Sequence, residues 1–142
     1  MLGDDGVGVR CVGYLKEKKL AENVRLIDGA TLGFDLLEET KGFDKVVIVD
    51  AVEMGKDPGH IASFNAEELL SLPASQNFSL HEIGLVEVLQ VGVKVGYDFS
   101  RTTIVGIQPE EIVRRDGLSA PVEAELPKLA EKALEEINRG GI

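Results

Sequence analysis

Three side chains, far apart in the sequence, are of the types that bind a divalent metal. Asp5 lies in the glycine-rich opening stretch MLGDDGVGVR, Asp50 follows an apolar run, and His81 lies in the stretch SLHE. Two carboxylates and one imidazole suit zinc, nickel or ferrous iron and leave coordination positions open for another molecule. The residue types therefore predict a metal site at Asp5, Asp50 and His81, provided that the fold brings them together.

Each of these residues also has a structural interpretation. An aspartate after a strand is commonly a helix cap or a turn residue, so Asp5, Asp28 and Asp50 could all be caps in an α/β domain that binds a small ligand. A histidine at a helix start is commonly a surface residue. The S-x-x-E spacing around His81 predicts a helix N-terminus, where the helix dipole keeps the imidazole neutral and able to bind a metal.

The remaining chemical groups point to no other activity. Gly6 and Gly8 resemble part of a dinucleotide-binding loop, but the third glycine and the preceding strand are absent, and adjacent aspartates repel phosphate. Cys11 is expected to be a buried helical cysteine, because nothing around it would activate a thiol. His60 is interpreted as structural.

Composition restricts the class of protein. A chain of 142 residues predicts a single domain, residues 1–142, and a net charge of −10 makes nucleic acid and anionic lipid poor partners. A single cysteine favours a reducing compartment, and no apolar run reaches the ~20 residues that span a bilayer. We expect a cytoplasmic protein without membrane insertion.

Hydrophobic periodicity predicts alternating strands and helices. Apolar runs predict strands at residues 24–27, 45–49, 60–64 (an edge strand) and 102–107, and helical spacing predicts helices near 7–20, 32–39, from 83 onward and from 119 to 137. This order predicts an α/β fold with a doubly wound, mostly parallel twisted sheet and helices on both faces. Ligands of such sheets bind beyond the carboxyl ends of the strands, where Asp28 and Asp50 are expected.

Six stretches together resemble the hydrogenase maturation proteases. They are LGDDGVGVR at 2–10, LIDGATLGFDLL at 26–37, VIVDAV at 47–52, SLHEIGLVEVL at 79–89, IVGIQPEEI at 104–112 and GLSAPVEAELP at 117–127. They cover almost the whole chain in the expected order. The resemblance implies the same doubly wound sheet, and it implies a metal site at Asp5, Asp50 and His81.

The resemblance also implies an activity. It is that of an aspartic-type endopeptidase that removes the C-terminal extension of a nickel-loaded [NiFe]-hydrogenase large-subunit precursor. The acid–acid–histidine cluster would recognise nickel presented by the substrate, for which zinc or cadmium could substitute in a crystal. The implied catalytic residues are Asp28, Asp5 and Asp50, and the implied substrate-binding residues are Gly29, Thr31 and Gly33. The alternative is a non-catalytic, nickel-dependent hydrogenase assembly or binding factor of the same fold.

One element of the family pattern is missing from the sequence. Family members have a strand and a turn ahead of the acidic loop, whereas this sequence begins at Met1 within that loop. Three explanations are open. In the first, which we favour for the gene, the start is assigned too far downstream. In the second, protease activity has been lost. For the 142-residue chain itself we favour a neighbouring strand or a second copy filling the gap, giving a homodimer through the exposed sheet edges.

Overall fold

The computed structural model describes residues 6–28, 34–72, 85–110 and 117–139. Helices and strands are mixed along these residues, in agreement with the predicted α/β fold. In chain order the elements are α1 (Val7–Lys16), α2 (Asp35–Glu39), β1 (Val46–Ala51), β2 (Ile61–Phe64), α3 (Ala66–Leu70), α4 (Leu85–Lys94), β3 (Thr102–Ile107) and α5 (Ala120–Asn138). Of the helices in this part of the chain, none is long and apolar enough to cross a bilayer.

The strands form a three-stranded sheet in the order β1-β3-β2. β1 and β3 are parallel, with Val46 opposite Thr102 and Ala51 opposite Ile107. β2 is antiparallel to β3 and lies at an edge, as predicted for residues 60–64. β3, the central strand, is almost fully buried, which explains its continuous apolar sequence TTIVGI.

Helices cover both faces of the sheet. On one face, α1 and α5 pack against a core that includes Val7, Val105 and Leu129. On the other face, a second cluster joins Leu69 of α3 and Leu89 of α4 to Ile104. Alternate residues of β3 therefore enter opposite cores, as expected for a strand between two helical layers.

Two local predictions need correction. Residues 24–27, predicted to be a strand, form no ladder with any described strand. A strand requires a hydrogen-bonded neighbour about 4.8 Å away, and an apolar run by itself does not supply one. The predictions also omitted α3, although Asn65 and Glu68 form a capping box, with the Asn65 side chain accepting from the Glu68 N–H at 2.7 Å. The expectation of one domain over residues 1–142 stays a prediction.

Candidate functional site

Asp50 occupies the position that its sequence context predicts. It is the second-to-last residue of β1, at the carboxyl end of a strand that runs parallel to β3. Its side chain is half-buried, and Oδ1 accepts a hydrogen bond of 2.9 Å from the Ala51 N–H. This bond fixes the orientation of a carboxylate at the edge where α/β sheets bind ligands.

The residue opposite Asp50 in β3 is a glycine, because a side chain at that position would clash with its neighbours. Gly106 lies opposite Asp50 in β3. A Cβ on Gly106 would lie 2.7 Å from Cγ2 of Val52, so a larger residue would displace the segment that follows β1. The absence of a side chain at Gly106 thus leaves room for the Val52 side chain, while the Val52 N–H still donates to Ile107 of β3.

A groove lies beside β1, and Asp50 is among the residues that line it. Its volume is about 630 Å³, and its lining includes residues 46–50 of β1 and residues 24–27. Gly8 of α1 and Leu85 of α4 also line it, so helices from both layers contribute. We refer to this cavity as the β1 groove.

The other predicted site residues are described only in part. Asp28 is exposed and directly follows Ile27, which lines the β1 groove. Asp5, His81, Gly29, Thr31 and Gly33 lie outside the described residues, so their convergence with Asp50 stays a prediction. Across the four described ranges, no three acidic, imidazole or thiol side chains are grouped as metal ligands.

Sequence reasoning assigned no role to a buried glutamine, Gln108, that organises the loop after β1. Oε1 of Gln108 accepts from the backbone N–H groups of Met54 (2.7 Å) and Lys56 (3.2 Å), and Nε2 donates to Oε2 of Glu53 at 2.8 Å. The Gln108 backbone bonds to His60 and Gly59 on the same loop. A buried amide with all these partners holds the loop after β1 against the end of β3. The sequence feature that could have pointed to Gln108 is its position directly after the apolar residues of β3, in the stretch IVGIQPEEI.

Cys11 has the structural character predicted for it. Its side chain is fully buried in α1, and burial raises the pKa of the thiol to about 11. A thiol with so little thiolate near neutral pH is a poor nucleophile. His60 contributes its backbone carbonyl to Gln108, in accordance with a structural role.

Comparisons with known proteins identify the family. The family model described as hydrogenase maturation protease matches residues 9–136. The chain belongs to the hydrogenase maturation protease family. A curated relative, the hydrogenase 2 maturation protease of Escherichia coli, is 31% identical over 144 aligned residues that cover all of this chain and 87% of the relative. A second relative, the hydrogenase expression/formation protein HoxM of Azotobacter vinelandii, is 33% identical, with 98% of this chain and 68% of the relative covered.

Solved structures of maturation proteases confirm the fold class. The hydrogenase-maturating endopeptidase HybD of Escherichia coli superposes with a TM-score of 0.82 at 32% identity, covering 99% of this chain and 87% of that one. The hydrogenase 2 maturation peptidase of a Thaumarchaeota archaeon gives a TM-score of 0.67 at 30% identity, covering 96% and 90%. The protein is thus a maturation endopeptidase, a hydrolase of peptide bonds, and Asp28 and Asp50 are the acidic residues of its predicted site that lie among the described residues.

Proposed function

We propose that this maturation protease removes a C-terminal extension from a hydrogenase large-subunit precursor that already carries nickel. In this proposal, Asp5, Asp50 and His81 contact the nickel of the substrate, and Asp28 lies near the scissile bond. Gly29, Thr31 and Gly33 bind the substrate, and the two glycines let its backbone approach closely. The nickel belongs to the substrate, so the cluster acts as a checkpoint for precursor loading.

One observation carries the proposal: Asp50 lines the β1 groove, and so do residues close in sequence to Asp5, Asp28 and His81. Gly8 follows Asp5 by three positions, Ile27 precedes Asp28, and Leu85 follows His81 by four. All three line the β1 groove together with Asp50. This common lining supports a shared site at the carboxyl end of β1.

The packing of α1 against β1 gives further support. A Cβ placed on Gly8 would lie only 2.6 Å from the carbonyl oxygen of Val49, so the start of α1 touches the backbone directly before Asp50. Asp5 precedes Gly8 by three positions, so few residues separate it in sequence from this contact beside Asp50. A residue larger than glycine at position 8 would separate the two elements.

The proposed donor set fits the proposed role. Carboxylate oxygens and a neutral imidazole are ligands that divalent nickel, zinc and cadmium accept, and three of them leave room for ligands from the substrate. Hydrolysis requires a water molecule to attack the scissile carbonyl, with a carboxylate positioned to accept its proton. Asp28 is our candidate for that position, and Asp5 and Asp50 would polarise or orient the substrate.

Asp50→Asn tests the proposal with little disturbance of the fold. The amide oxygen can still accept from the Ala51 N–H, whereas the negative charge that attracts nickel is gone. We expect cleavage of nickel-loaded precursor, followed by mass spectrometry of the released peptide, to fall at least a hundredfold while the melting temperature changes little. Asp57→Asn, at an exposed position that does not line the β1 groove, is the matched control and should cleave normally.

Two results would contradict the proposal. Normal cleavage by Asp50→Asn would exclude nickel contact by this residue, and equal cleavage of nickel-free and nickel-loaded precursor would exclude the checkpoint. If the wild-type protein binds nickel-loaded precursor without releasing a peptide, the alternative function of a non-catalytic assembly factor is supported instead. His81→Ala, made in parallel, should behave like Asp50→Asn.

A further inference from the structure

Gln108 lies where the segment that follows Asp50 crosses the sheet. The loop of residues 52–60 leaves β1 on one side of β3 and enters β2 on the other side. Because β2 runs antiparallel to β3, this loop crosses at the carboxyl end of β3, and Gln108 directly follows that strand. The loop and Gln108 therefore lie at the end of the sheet where α/β proteins bind ligands.

The hydrogen bonds of Gln108 reach both halves of this loop. Its side-chain Oε1 accepts from the Met54 N–H at 2.7 Å and from the Lys56 N–H at 3.2 Å. Its backbone N–H donates to the His60 carbonyl at 2.8 Å, and its carbonyl accepts from the Gly59 N–H at 2.9 Å. Gln108 is only 3% exposed, so water competes little for these bonds. The side chain thus holds the first half of the loop, and the backbone holds the second.

The first half of the loop continues directly from the residues that orient Asp50. One oxygen of the Asp50 carboxylate accepts from the Ala51 N–H, so the direction of that peptide group fixes the orientation of the carboxylate. The Val52 N–H donates to the backbone of β3 at 3.0 Å, and the Met54 N–H donates to the side chain of Gln108. Backbone that is tied at several points has fewer conformations than backbone that is tied at one. The Gln108 side chain therefore restricts the conformations open to the Asp50 carboxylate.

Gln108 acts on Asp50 from the neighbouring strand. Asp50 lies opposite Gly106, which precedes Gln108 by two positions. Adjacent strands lie about 4.8 Å apart and each residue advances about 3.3 Å, so the Cα atoms of Asp50 and Gln108 are about 8 Å apart. The Gln108 side chain bonds to the loop and to the Pro109 carbonyl, so its effect on Asp50 passes through the loop.

Glu53 determines which way the Gln108 amide faces. Oε2 of Glu53 accepts from Nε2 of Gln108 at 2.8 Å and from the Gly55 N–H at 2.9 Å. An ionised carboxylate only accepts hydrogen bonds, so the amide nitrogen must face Glu53 and the amide oxygen must face the Met54 N–H. Glu53 thereby selects the amide orientation that supports the loop.

We propose that Gln108, oriented by Glu53, is a positioning residue for peptide cleavage. It holds the loop of residues 52–60, and through it the Asp50 carboxylate, in the orientation that the reaction requires. This role, which rests on the proposed function of Asp50, affects kcat more than KM. Catalytic geometry is sensitive to displacements of about 1 Å, whereas binding of a protein substrate is spread over a larger surface.

Steady-state cleavage of the precursor by Gln108→Leu tests this role, at a temperature where circular dichroism shows the variant to be folded. We expect kcat to fall roughly tenfold or more, with KM within about threefold of the wild type. Ala130→Gly is the matched control, because Ala130 is buried in α5 and is not among the residues that line the β1 groove. Its replacement lowers stability through a lost methyl group and a glycine in a helix, and its kcat should stay within about twofold of the wild type.

Exchanging the two side chains provides a rescue that does not depend on Gln108→Leu being folded. Gln108→Glu alone sets two carboxylates against each other and should lower kcat roughly tenfold. Glu53→Gln alone keeps an acceptor for the Gln108 amide and for the Gly55 N–H, so it should cleave almost normally. In the double variant the new glutamine donates to the new glutamate, which still accepts from the Met54 N–H. Its kcat should therefore return to within about threefold of the wild type.

The possible outcomes separate this role from the proposed function. A wild type that releases no peptide, or normal cleavage by Asp50→Asn, refutes the proposed function and the role of Gln108 with it. Normal kcat of Gln108→Leu beside an impaired Asp50→Asn refutes the role of Gln108 alone. The same holds if Ala130→Gly loses as much kcat as Gln108→Leu, if the double variant is no better than Gln108→Glu, or if only KM changes.

Discussion

Replacing Gln108 with leucine should destabilise the protein measurably, because Gln108 connects the ends of β1 and β3. The residue is buried, and its side chain makes hydrogen bonds to Met54, Lys56, Glu53 and the Pro109 carbonyl. Leucine has a similar volume, so the change removes the polar contacts without opening a large cavity. The perturbation is therefore mainly a loss of hydrogen bonds.

The magnitude follows from which groups lose their partners. The N–H of half-buried Met54 loses a 2.7 Å acceptor and is not freely hydrated, which costs about 1–3 kcal/mol. Lys56 is exposed, so its N–H regains water, and the half-buried Glu53 carboxylate regains water in part. We expect a total loss of about 2–3 kcal/mol, against a typical stability of ~5–15 kcal/mol.

Urea unfolding followed by circular dichroism measures this loss directly. For a chain of this size the expected loss corresponds to a fall in melting temperature of roughly 5–10 °C. Gln108→Glu is the informative partner variant, because it retains an acceptor for Met54 but sets a carboxylate opposite Oε2 of Glu53, 2.8 Å from the present Nε2. The introduced carboxylate is buried beside a second carboxylate and would take up a proton more readily than a free one, so the deficit should be present at pH 7 and should shrink as the pH falls.

The reasoning would be refuted if Gln108→Leu unfolded at the same urea concentration as the wild type with an unchanged slope. The loop after β1 would then be held by its backbone alone. A deficit of Gln108→Glu that did not depend on pH would show that charge repulsion with Glu53 is not its cause.

Two further predictions concern α1. Gly8→Ala should destabilise the protein by about 1–3 kcal/mol, because the added Cβ would meet the Val49 carbonyl oxygen at 2.6 Å. Gly13→Ala in the same helix has open space around the added Cβ and should stabilise the protein by up to about 1 kcal/mol. Chemical unfolding of both variants measures the difference, and equal effects would contradict the close contact at Gly8. Burial raises the pKa of the Cys11 thiol to about 11, so the unfolded chain loses this proton at lower pH than the folded chain. The protonated thiol therefore contributes to the free energy of unfolding in full below about pH 8.5, and this contribution is lost as pH rises through 11. Stability of the wild type minus that of Cys11→Ala should therefore fall by about 2–3 kcal/mol between these pH values, and a constant difference would be inconsistent with the raised pKa.

Much of the fold could be read from local patterns. The run TTIVGI predicts β3 with its observed bounds, and the helical stripe beyond Pro127 predicts most of α5, because burial on both faces or on one stripe leaves a periodic trace in the sequence. The same pattern places Asp50 at the end of a parallel strand, although β1 is half-buried along its length rather than fully covered. The resemblance carried by six stretches supplied the family, which the comparisons confirm.

Only the tertiary structure decided the features that depend on a distant partner. Residues 24–27 have the composition of a strand, but a strand exists only where another backbone completes its hydrogen bonds, and none of the described strands does so. The role of Gln108 was equally hidden, because its partners lie more than fifty residues earlier in the chain. Sequence patterns record which faces are apolar, whereas the pairing of polar backbone and amide groups across the chain is set when the elements pack.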